Sequence, residues 1–112
     1  VSPLMLSPKR SELLRRARSR ELLERMLTNL RMRFDRGRDY LRALRVQNRL
    51  LSLRPDSAEH LKDRGILHYR LALFAQAASD LEASLALAPG AHGAGAMRKQ
   101  LRRLRLLTPV MN

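Results

Sequence analysis

The sequence predicts an all-α fold built from a repeated helix-turn-helix unit and closed by a further helix. Three observations carry this. First, the chain matches itself at one fixed displacement: Leu27 falls on Leu61, Tyr40 on Phe74, Ala43 on Ala77 and Pro55 on Pro89. A constant period of roughly 34 residues marks a stack of supersecondary units. Second, Leu, Ala and Arg dominate, and all three favour helices. Third, aromatic residues make up 4% of the 112 residues, fewer than a β-sandwich or barrel ordinarily uses.

The elements follow in chain order. Residues 1–18 read as a basic linker or a short helix, with Ser7-Pro8 as a helix start because proline suits the first helical position. Ser19 is the expected N-cap of the first repeat helix. That helix carries Leu22, Leu23, Met26, Leu27, Leu30 and Phe34 as one apolar stripe, expected to face the core. Gly37 marks the turn, where glycine takes a left-handed backbone at little cost. Tyr40 opens a second helix, with Leu41, Leu44, Leu50, Leu51 and Leu53 on its apolar side, and Pro55 ends the unit.

In the second unit, Asp56-Ser57-Ala58-Glu59 reads as a capping box with Asp56 as N-cap. Leu61, Gly65 and His68 line its first helix; Leu81, Leu85 and Ala88 line its second, which Pro89 stops. Gly90, Gly93 and Gly95 form a flexible turn. The amphipathic run from Met97 to Leu107 is expected to cap the stack, because two repeats alone leave apolar faces open. Thr108-Pro109 is expected to end it, leaving residues 108–112 as a tail.

The period, the aromatic-alanine pair and the closing proline resemble the tetratricopeptide repeat (TPR) family. The units would be residues 24–57 and 58–91 of a domain spanning 19–107, with the capping helix over about 94–107. The resemblance implies a short right-handed solenoid. Gly65 matches the family's glycine, whereas unit one departs from the pattern with Arg31, expected to splay the unit or to reach solvent. A narrower likeness covers roughly residues 19–107, carried by Arg20 to Leu30, by Asp63-Arg64-Gly65-Ile66-Leu67 and by Ser79-Asp80-Leu81-Glu82. These stretches are similar to the C-terminal TPR region of bacterial Sir-B-type proteins, in which a transglutaminase-like core precedes the repeats. That likeness implies the tail of a longer bacterial protein, and the first residue, Val1 rather than Met, leaves the same reading open.

Charge narrows the partners. The chain holds 23 basic and 10 acidic residues, net +13. Residues 1–54 carry net +10 and residues 55–112 net +3. Such a field attracts acidic proteins, nucleic acid or anionic surfaces. Nearly all the cations are Arg, a pattern that codon bias in a GC-rich genome would also produce. No apolar run reaches the roughly 18 residues a membrane span needs, so the expected location is cytoplasmic.

Chemistry has little purchase on this sequence. There is no cysteine, which excludes disulfides and thiolate nucleophiles. His60, His68 and His92 share no metal-ligand spacing, and His68 occupies a repeat position suited to a packed side chain. Asp80 and Glu82, two apart on a helix, diverge. No phosphate-binding glycine loop is present. The expectation is a protein without catalytic residues, metal or cofactor.

In TPR stacks the first helix of each unit lines the concave groove. The residues expected there are Arg25, Thr28, Asn29, Met32 and Arg36 from unit one, Lys62, Ile66, Tyr69 and Arg70 from unit two, and Gln100 and Arg103 from the last helix. Such a groove suits an extended acidic peptide. It lacks the paired asparagines and multiple lysines of chaperone-binding carboxylate clamps. A second reading is nucleic-acid binding through Arg15, Arg16, Arg18 and Arg20 with the stripe Arg42, Arg45 and Arg49, although stacking aromatics are scarce. A third is a regulatory appendage of a larger protein. Leu106, Leu107, Val110 and Met111 would offer an apolar edge for a homodimer.

Overall fold

The computed structural model describes residues 9–111, with side chains to Thr108. Ser7-Pro8 and the side chains of Val110 and Met111 lie outside the described residues. Among the described residues five helices follow one another: α1 Arg10–Arg36, α2 Tyr40–Leu53, α3 Ala58–Arg70, α4 Phe74–Leu87 and α5 Ala94–Met111. Each packs on its neighbours in the chain, so the order of the sequence is the order of the stack. The body measures 60 × 31 × 25 Å.

The turns inside the two units, α1–α2 and α3–α4, are built alike, and not as expected. Gly37 has an ordinary φ of −79°. The left-handed residue is Arg38, at φ 58°, and one period later Ala72 repeats it at φ 60°. Both close a Schellman motif. Asp39 N–H donates to Phe34 O at 2.8 Å and Arg38 N–H to Asp35 O at 3.0 Å; Leu73 N–H donates to His68 O at 2.8 Å and Ala72 N–H to Tyr69 O at 2.9 Å. A Cβ in that region costs about 1–2 kcal/mol, and glycine removes the clash at some entropic cost. Ala72→Gly is therefore expected to stabilise the fold by about 0.5–1 kcal/mol, read as a higher urea midpoint at unchanged slope.

Several helix ends differ from expectation. Ser19 caps nothing, because α1 runs through it without a break. The N-cap of α3 is Ser57, whose Oγ accepts from His60 N–H at 3.1 Å, and not Asp56, which lies in the preceding turn. Gly93, at φ 83°, turns the chain into α5, and its carbonyl accepts from Met97 N–H at 3.0 Å. α5 continues past Pro109. Proline has no N–H to give the carbonyl four residues back, and Thr108 Oγ1 donates to that Arg105 carbonyl instead, at 3.2 Å.

The core is small. Ala43 and Ala77 are fully buried, as the shared register of the two units predicts, with Leu50, Leu67 and Leu104 nearly so. Ala77, Ala78, Leu81, Leu101 and Leu104 join α4 to α5, so the last helix closes the stack. Leu106 and Leu107 remain exposed. The apolar stripe of α1 does not behave as expected: no residue of that helix is buried, and Leu22, Leu23, Met26 and Leu30 are exposed.

Unit two replaces an apolar trio of unit one by an ionic one. Leu30, Phe34 and Val46 become, one period on, Arg64, His68 and Asp80. Asp80 is 5% exposed. Arg64 clasps it with two bonds, Nε to Oδ2 at 2.9 Å and Nη2 to Oδ1 at 2.7 Å, and His68 Nδ1 lies 2.7 Å from Oδ2. The Arg64 pKa is raised by its hydrogen bond to Asp80 against the opposing effect of burial, so the guanidinium keeps its charge. His68 is thus a packed histidine with a carboxylate partner, not a ring among rings.

Candidate partner-binding surface

α1 and α3, the first helices of the two units, are tied by ion pairs. Arg70 reaches Asp35 and lies over the Tyr40 ring, 5.3 Å from its centroid. Arg31 lies 3.9 Å from Asp63. Arg31 therefore does not reach solvent as expected: its side chain is 16% exposed, and its Nε is buried with no hydrogen-bond partner among the described residues. Gln47 Oε1 is the other such atom, although Gln47 Nε2 donates to His60 O at 2.9 Å. These residues hold the register positions of Gly65 and Leu81, which pack so closely that a Cβ on Gly65 would lie 3.1 Å from Leu81 Cδ2.

Asp63 is pushed above the ordinary aspartate range by burial, which outweighs the Arg31 and Lys62 charges. The folded state then holds this proton more tightly than the unfolded chain does. The stabilisation is fully present below the unfolded value and is lost as pH rises through the raised folded value. Asp63→Asn removes that dependence. Its stability relative to wild type should climb between about pH 4 and pH 7 in urea titrations. A fall over that range would mean that the Arg31 charge dominates.

Two hollows lie beside these helices. Arg25, Thr28 and Asn29 line one of about 300 Å³ with Glu24 and His60. Glu24 is held by Arg54 at the C-terminus of α2, which leaves Arg25 as the arginine of that hollow. Lys62, Ile66 and Gln100 line the other, about 260 Å³, with Leu81, His92, Gly93, Ala96 and Met97. The second is mostly apolar, with Lys62, Gln100 and His92 as polar groups.

The remaining expected residues stand elsewhere. Met32 and Arg36 are exposed on α1 outside both hollows. Tyr69 sets its ring edge-on to Phe74, centroids 5.7 Å apart. Arg70 is engaged by Asp35 and Tyr40, and Arg103 is exposed on α5. His60, His92 and Met97 were missed by sequence reasoning. His60 follows the Ser57 cap, so a correct N-cap would have placed it in the first turn of α3. Contacts of the α4–α5 turn leave no sequence signal.

Among the described residues, no group of three His, Asp or Glu side chains could hold a metal, and no helix is long and apolar enough to cross a membrane.

Two UPF0162 proteins of Xylella fastidiosa, from strains Temecula1 and 9a5c, are each 33% identical over 91 residues, 81% of this chain. The matched stretch makes up 32% of each relative, so the chain spans about a third of their length. Residues 30–102 match the sequence profile of the tetratricopeptide repeat. With that match across both units and into the closing helix, the chain belongs to the tetratricopeptide repeat family.

Proposed function

We propose that this chain is a non-catalytic protein-interaction module whose groove along α1, α3 and α5 takes an extended acidic segment. The observation that carries the reading is the pair of hollows, one with Arg25 and His60, the other with Lys62 beside the apolar Ile66 and Met97. Cations spaced along such a surface hold carboxylates, while the apolar hollow accepts a side chain between them. Met32, Arg36, Tyr69, Arg70 and Arg103 would extend the surface at its margins.

The test is anisotropy titration with fluorescent peptides rich in Asp and Glu, against the same peptides carrying Asn and Gln. The acidic peptides should bind at least about tenfold more tightly, and Arg25→Ala with Lys62→Ala should remove most of that difference. Tyr69→Ala should weaken binding with little change in salt slope. Equal binding of both peptide sets would refute the reading.

Nucleic-acid binding stands second. Arg42, Arg45 and Arg49 are all exposed on α2, and Arg15, Arg16, Arg18 and Arg20 on α1. Phosphate contacts weaken steeply between about 50 and 200 mM salt. DNA or RNA binding at micromolar affinity that persists at the higher salt would put this reading first. A third reading is a regulatory appendage of a larger protein. The relatives have room for a further domain, since two thirds of their length lies outside the match. An appendage would bind its parent domain in trans.

A further inference from the structure

The stripe of α1 that the core leaves uncovered has a counterpart inside the molecule. Displaced by one period, Leu23, Met26 and Leu30 become Ser57, His60 and Arg64. In unit two this side of the helix meets the helix before it: Gln47 of α2 donates to the His60 carbonyl at 2.9 Å, and Arg64 Nη1 donates to Asn48 Oδ1 at 3.3 Å. α1 has no preceding helix among the described residues, yet its side chains at those positions are apolar and Met26 is 60% exposed. Leu23, Met26, Leu27 and Leu30, with Asn29 and Arg33, line a hollow of about 410 Å³.

Length adds to this. α1 has 27 residues and α2 has 14, and the Arg54–Glu24 ion pair sets the end of α2 opposite Glu24. The part of α1 before Glu24 therefore projects beyond α2, and Leu13, Leu14 and Leu22 on it are exposed. At about 100° per residue, Arg15 and Arg33 lie in line with Leu22 and Met26, and Arg18 and Arg25 border them. All four are exposed.

We propose that this face of α1 docks an amphipathic helix of a partner protein, seated as α2 is seated on α3, with carboxylates flanking its apolar stripe. The charge fixes the chemistry of the occupant. A second copy would bring another net charge of +13 against this arginine border, whereas a carboxylate-flanked helix matches it. The helical spacing of Leu22, Leu23, Met26 and Leu30 suits a helix laid alongside and not an extended strand. This surface adjoins the groove at Arg25 and Asn29, but the proposal does not depend on that groove binding a peptide.

The probe is a synthetic amphipathic helix of roughly 20 residues, with leucine at heptad a and d positions and glutamate beside them. Its comparison peptide carries lysine in place of glutamate. Anisotropy should show the glutamate peptide binding at least about tenfold more tightly. Leu23→Ser with Met26→Ser should weaken it at least tenfold. The thermal midpoint should hardly move, because both side chains are already exposed. Lys62→Ala, in the groove, should leave the affinity unchanged. Equal affinity for the two peptides, or indifference to the double substitution, overturns the proposal. So does sedimentation showing the protein alone to be a dimer that the double substitution dissociates, since the face would then belong to a second copy.

Discussion

Asp80→Ala lowers the stability of the fold by about 3 kcal/mol, the low end of what breaking a buried ion pair costs. The carboxylate is 6% exposed by side chain and satisfies both Arg64 and His68. Without it, Arg64 keeps a charge with its principal partner gone. The Arg64 side chain is 29% exposed, so water relieves part of that loss and holds it at the low end. Unit one supplies the control. Asp80→Val with Arg64→Leu and His68→Phe installs the residues that the same positions carry in unit one. Replacing a buried ionic group by packed apolar side chains is frequently neutral or stabilising. Urea unfolding should therefore show a large loss in the single variant and recovery of most of it in the triple. A single variant within about 0.5 kcal/mol of wild type would show that the network contributes little net stability.

Leu104→Ala should cost about 3 kcal/mol, within the range of about 2–5 kcal/mol for a truncated buried leucine, which loses transfer free energy and leaves a cavity. Leu104 is 1% exposed and belongs to the cluster in which Leu101 of α5 meets Ala77, Ala78 and Leu81 of α4. The consequence reaches further than α5. In a stack where each unit touches only its neighbours, the end helix covers the apolar face of the last unit. Circular dichroism and α4 amide exchange should both report the loss. If α4 amides keep full protection while α5 frays, then α5 is an appendix and not a cap. Leu106→Ala, at a side chain 80% exposed, is the matched control and should change stability by less than about 0.5 kcal/mol.

The sequence by itself determined the period and hence the architecture. Tyr40 with Phe74, Ala43 with Ala77, and Pro55 with Pro89 give the helix order and the close-packed positions without any coordinates. Periodicity survives in a linear string because every unit repeats the same local packing. The cap helix was legible for the same reason, as an amphipathic run placed where a third unit would begin.

Tertiary structure decided the rest. Which residue takes the left-handed turn depends on where each helix ends, and an Arg and an Ala accept the strain that Gly37 was expected to absorb. Arg31 and Asp80 occupy positions the repeat reserves for small or apolar side chains, and only their partners across the stack, Asp63 and Arg64, explain them. Of the proposed groove, helical spacing put Arg25, Thr28 and Asn29 on one face of α1, where they line one hollow, but could not show that Arg70 is held by Asp35 or that the α4–α5 turn supplies His92 to the other. Hydrophobic spacing likewise marked the α1 stripe as apolar without saying what covers it. Burial is a property of neighbours, and a sequence names a helix's apolar face without naming what packs on it.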